Sequence, residues 1–77
     1  MKITIENTSK IVTLNGVPAR IWEGKTESGI PVHCFVTRIA VASHQCTGEI
    51  EKQFCEELEQ TVTPSEQVLT IPLALIL

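Results

Sequence analysis

Residues 10–42, KIVTLNGVPARIWEGKTESGIPVHCFVTRIAVA, decide the fold, because they read as a β-meander whose two faces differ in chemistry. The pair Asn15-Gly16 lies between apolar runs, and both of its residues tolerate the positive φ that a two-residue hairpin turn demands. Such a turn sets Leu14 opposite Val17, Val12 opposite Ala19 and Lys10 opposite Ile21, all on one face. Ile11, Thr13, Pro18, Arg20 and Trp22 fall on the other.

The next connection, Gly24 to Gly29, is polar and bracketed by glycines. With no bulge in it, Glu23 faces Ile30, Ile21 faces Val32, Ala19 faces Cys34 and Val17 faces Val36. Val12, Leu14, Val17, Ala19, Ile21 and Val32 then form the core side. The reverse side collects Arg20, Trp22, His33 and Phe35. This register hangs on the loop, since a slip of one residue exchanges the faces of a strand. Pro18 and Pro31 lack the N–H a ladder uses and belong at strand ends or unpaired positions. Val32 to Ala42 is apolar in both alternating sets, the pattern of a central strand covered on both sides.

Outward from the meander, Lys2 to Glu6 alternates as a strand, and Asn7-Thr8-Ser9 supplies turn chemistry before the next run. Thr47 is placed to cap a helix from about Gly48 to Gln60, with Glu49 and Glu51 near its positive end. Ile50, Phe54 and Leu58 recur at helical spacing, with Cys55 widening the stripe, so one helix face is apolar. Pro64-Ser65 breaks the pattern. Val68 to Leu77 is almost entirely aliphatic and far too short to span a bilayer as a helix. It requires burial, either as a final strand beside the N-terminal one or as an arm exchanged between subunits. The sum is a single α+β domain over residues 1–77: an antiparallel sheet of four to five strands, one amphipathic helix and an apolar C-terminal strand or arm.

A chain of 77 residues buries only about 60 to 65% of its unfolded surface, a marginal core. The net charge of −3 and the scatter of six basic residues argue against binding nucleic acid directly, which calls for a clustered basic stripe. Three cysteines, Cys34, Cys46 and Cys55, lack paired short spacing and suit a reduced compartment. The N-terminal residues lack the features of a signal peptide, and the expected location is the cytoplasm.

No constellation for catalysis emerges. His33, Cys34, His44, Cys46 and Cys55 are zinc-compatible types, but neighbouring strand residues point to opposite faces and no Cys-x-x-Cys pair exists. Neither a metal nor a cofactor is therefore expected. Cys34 with a histidine is the one nucleophile–base pairing to weigh, and it reads better as a small core hydrophobe. The glutamates from Glu49 to Glu59 read as a solvated helix face. Arg20, Trp22, His33 and Phe35 differ, because Arg and Trp are the types most enriched at binding hot spots and a cation beside an aromatic can hold a stacked anion.

The string from Lys10 to Val41, with the ending IPLALIL, resembles small, mostly uncharacterised proteins encoded by tailed phages and prophages of Gram-negative bacteria. The resemblance implies origin rather than mechanism. By analogy with small phage accessory proteins, it suggests a non-enzymatic, homo-oligomeric antagonist of host antiviral defence, acting in the host cytoplasm by stoichiometric binding. Its partner would be a host defence protein or a nucleotide second messenger held by Arg20, Trp22, His33 and Phe35, and its subunits would join through Val68 to Leu77. The alternative is a structural or assembly component of the phage particle.

Overall fold

A computed structural model describes residues 1–42 and 47–76. The strands β1 (Ile3–Leu14), β2 (Val17–Thr26) and β3 (Pro31–Val36) form the expected meander. They are followed by helix α1 (Gly48–Glu59), a single turn α2 (Glu66–Leu69) and the short strand β4 (Ala74–Leu75). The sheet order is β3-β2-β1-β4. It is an α+β fold with one main helix, and the sheet is mixed because β4 runs parallel to β1.

The first hairpin has the expected turn, with Asn15 at φ 50° and Gly16 at φ 82°. Leu14 pairs with Val17, Val12 with Ala19 and Ile11 with Arg20. Beyond that point the ladder changes. Lys10 does not pair with Ile21; the register shifts between Ile11 and Asn7, where the three residues Thr8, Ser9 and Lys10 of β1 span the single residue Ile21 of β2, and pairing resumes at Asn7 with Trp22. Asn7-Thr8-Ser9 is thus a bulge within one long strand rather than a turn between two. Two extra residues preserve the alternation, so the faces keep their identity on either side.

Thr8 explains why the bulge holds. Its side chain is fully buried, and its hydroxyl donates to the Ile21 carbonyl at 2.6 Å while accepting from Lys10 N–H at 3.3 Å. The Thr8 carbonyl accepts from Arg20 Nη1 at 2.9 Å. Side chains here supply bonds that the interrupted ladder cannot, which a buried backbone requires.

The second hairpin departs from the bulge-free register. Gly29 has φ 88°, its N–H donates to the Thr26 carbonyl at 3.0 Å, and Thr26 N–H donates to the Ile30 carbonyl at 3.0 Å. This is a three-residue loop closed by a left-handed glycine, a standard hairpin solution that shifts the strand. Arg20 therefore faces Val36, Ile21 faces Phe35, Trp22 faces Cys34 and Glu23 faces His33. The offset is odd, so β3 presents the opposite faces to those expected. Val32 joins the Trp22 side, and Phe35 joins the Ile21 side. β3 is also an edge strand ending at Val36 rather than a covered central one. Pro31 stands at its first position, where a missing N–H costs little.

Among the described residues, Val12, Ala19, Ile21 and Val68 are the buried hydrophobic ones. Phe35, Ile71 and Leu75 pack around Val12, Ile21 and Val68, whereas Val17 is half exposed. Val68 closes the core from α2, whose turn is capped by the Ser65 hydroxyl accepting from Val68 N–H. The C-terminal segment thus returns beside the N-terminal strand of its own chain. Thr13 pairs with Ala74 and Leu14 with Leu75, and Asn15 N–H donates to the Leu75 carbonyl at 2.8 Å. Burial reaches Val68 but spares Leu69, Leu73 and Ile76, which stay exposed.

Helix α1 begins as expected, with Thr47 accepting from Ile50 N–H at 3.3 Å. Its apolar stripe is only lightly covered: Phe54 and Leu58 are half-buried, and Ile50 is exposed. Asn7 anchors its end by donating to the Leu58 carbonyl at 2.8 Å. The chain then passes β1 at the bulge, where Val62 N–H donates to the Asn7 carbonyl at 2.9 Å and Thr8 bridges Val62 in parallel. Residues 60–63 form a strap around the sheet edge: α1 ends on the Trp22 side, and α2 lies on the Ile21 side. Among the described residues no helix is long and apolar enough to cross a membrane.

Thr8→Val keeps the shape of the side chain but removes its hydroxyl, and should cost about 1 to 3 kcal/mol in urea unfolding by orphaning the Ile21 carbonyl. Gly24→Ala tests the pairing of the first half of β1. A Cβ there would overlap the Thr4 carbonyl oxygen and lie 2.7 Å from Ile5 Cα, so a markedly lower unfolding midpoint is expected. An unchanged midpoint would show that β1 and β2 do not approach so closely.

Candidate functional site

The odd register divides the four residues singled out in the sequence. Arg20 and Trp22 share one face of β2 with Val36 and Cys34 as cross-strand partners. His33 and Phe35 lie on the opposite face, beside Glu23 and Ile21. Phe35 is committed to packing around the core. The sheet therefore does not assemble a single Arg20, Trp22, His33 and Phe35 surface; it builds two separate sites.

The first is an open groove of about 500 Å³ between the Arg20–Trp22 face, the residues after β3 and the end of α1. Trp22, Ile11, Val36, Ile39 and Leu58 provide apolar walls, while Arg20, Arg38 and Glu59 bring charge. Its size falls within the range of small-molecule sites, which are mainly apolar with a few placed polar groups. The two arginines have different duties. Arg20 is half-buried and tied to the Thr8 carbonyl, so it braces the bulge as well as lining the groove. Arg38 is exposed and leaves its guanidinium available to a ligand. An indole wall beside a guanidinium suits a flat or apolar group carrying negative charge.

Sequence reading missed Arg38, Ile39, Leu58 and Glu59 as groove residues. The signal for part of this was Thr26-Glu27-Ser28-Gly29, whose glycine after two polar residues fits a three-residue hairpin loop. Reading that loop correctly puts Val36 beside Arg20 and brings the following residues to the same side. The contribution of α1 depends on Asn7 and Leu58, 51 residues apart, and has no local signature.

On the other face a second groove of about 410 Å³ is lined by Glu6, Glu23, Lys25, His33, Ser65 and Gln67, among others. Glu6, Glu23 and His33 form one cross-strand row over β1, β2 and β3. Glu23 has a structural task, since its Oε2 accepts from Ser65 N–H at 2.9 Å. Among the described residues no three His, Cys, Asp or Glu side chains are grouped to hold a metal ion. Cys34 and Cys55 are free thiols, while His44 and Cys46 lie outside the described residues. Comparison of the chain with protein-family models, with curated proteins and with solved structures finds no match.

The unequal roles of the two arginines can be measured. Arg20→Ala should lower stability by about 1 kcal/mol, a half-exposed charged hydrogen bond being worth less than a buried one. Arg38→Ala should stay within about 0.5 kcal/mol of the parent, as surface substitutions do. Equal losses in urea unfolding would remove the distinction.

Proposed function

We propose that the protein acts by stoichiometric binding through the Arg20–Trp22–Arg38 groove, as a phage or prophage accessory protein that antagonises a host antiviral system in the host cytoplasm. The observation carrying the binding reading is one concave site that places an indole, two guanidiniums and an apolar wall together. Negative charge on the partner matches Arg38, and a flat or apolar group matches Trp22. A nucleotide second messenger has both properties, and so does an acidic, apolar patch on a defence protein. The phage role rests on the resemblance of Lys10 to Val41 and on the analogy with other small accessory proteins.

The decisive experiment is affinity capture of the full chain from infected host cells, with bound proteins and small molecules identified together. Trp22→Ala and Arg38→Ala should each weaken retention of the partner by about tenfold or more, the loss expected for hot-spot residues. Retention unchanged in both folded variants would remove the groove from the function. Stoichiometric recovery of the protein in purified phage particles would replace this reading with a structural or assembly role.

A further inference from the structure

We infer that the free edge of β3 pairs antiparallel with β3 of a second copy, joining the two sheets about a twofold axis at Cys34. Three independent features lead there, beginning with exposed area. The chain exposes 5995 Å², whereas a folded monomer of 8.5 kDa exposes roughly 4,700 Å² by the usual mass scaling. The excess of about 1,300 Å² is spread over the whole chain and leaves room for the roughly 800 Å² that each partner contributes to a standard stable interface; the next two features locate that interface.

The second feature is the character of the edge. β1 is covered on its outer side by Val62, Ala74 and Leu75, but β3 closes the other side of the sheet with no neighbour among the described residues. Its sequence, Pro31-Val-His-Cys-Phe-Val36, contains no Lys, Arg, Asp or Glu. Soluble proteins usually guard such edges with charges, bulges or internal prolines, and an apolar edge without them is a pairing site. Pro31 guards only the first position.

The third feature is self-complementarity. Because Thr26 N–H bonds the Ile30 carbonyl, antiparallel alternation directs the backbone groups of Val32, Cys34 and Val36 toward β2 and those of His33 and Phe35 outward. Like directions must meet across a twofold axis, which restricts the centre to a residue rather than a bond. Centring on His33 would set two imidazoles face to face and bring Pro31, without its N–H, against Phe35. Centring on Cys34 avoids both. His33 then exchanges both backbone bonds with Phe35 of the second copy, and Val32 faces Val36. Cys34 faces Cys34 at a non-hydrogen-bonded position, where opposed Cα atoms are about 4.5 Å apart.

Sedimentation equilibrium of the full chain in reducing buffer should give twice the 8.5 kDa of one chain. His33→Pro removes an outward N–H while leaving the β2 ladder intact, and should yield a folded monomer. Should that variant fail to fold, a chain keeping Cys34 as its sole cysteine decides the matter: mild oxidation should convert it to a disulfide-linked dimer in high yield, since the opposed Cα spacing suits a disulfide. A monomeric mass at micromolar concentration overturns the inference. So does a dimer that lacks the Cys34 cross-link, or a β3 edge found occupied by a foreign peptide instead of a second copy.

Discussion

The hydrogen bonds of Thr8 are the constraint on which the rest of the structure depends. Without the hydroxyl bond to Ile21, the bulge would leave a carbonyl unsatisfied in the core. Without the bulge, β1 would not offer Asn7 to the end of α1 or its edge to Val62. The same residue, through its carbonyl, holds Arg20, one of the residues lining the groove. A single small side chain thereby links sheet regularity, the path of the strap and the position of a candidate binding group.

Local chemistry made much of the fold legible, and the reasons can be traced to particular residues. Asn15-Gly16 specified the first turn because few other pairs accept two positive φ values. Thr47 specified the start of α1 because its hydroxyl can satisfy a helix N–H that would otherwise lack a partner. The second hairpin escaped because Gly29, not the whole polar segment, determines the register. Asn7-Thr8-Ser9 escaped because these types serve turns and bulges equally well, and the choice lies with a partner strand 13 residues away. The C-terminal segment was expected as a strand beside the N-terminal stretch Lys2 to Glu6 or as an exchanged arm; its strand β4 pairs with Thr13 and Leu14, and neither that partner nor its parallel sense could be read from an aliphatic run.

That Arg20 and Trp22 share a face was legible because alternate strand positions do so whatever the neighbouring strand does. His33 and Phe35 were not, because their side depended on the loop. Grouping residues within one strand is safe; grouping them across a loop is only as good as the loop. Arg38 lay in a run whose apolar neighbours drew attention to burial, yet it stands past the end of β3, where the alternation rule no longer applies.

The strap around the bulge also bears on the order in which the molecule acquires structure. β1, β2 and β3 are joined by short turns and make contacts local in sequence, whereas Asn7 must wait for Leu58 and Lys10 for Leu69, more than fifty residues later. Hairpins close in microseconds, and distant contacts carry a larger loop-closure cost. During synthesis the meander can therefore form while the residues destined for α2 are still unmade. Over that interval Val12 and Ile21 have Phe35 of β3 beside them but lack Val68, Ile71 and Leu75, which complete their cover. A chain cut short after α1 retains the residues of the β1–β3 meander but loses both β4 and Val68, the residue that closes its core.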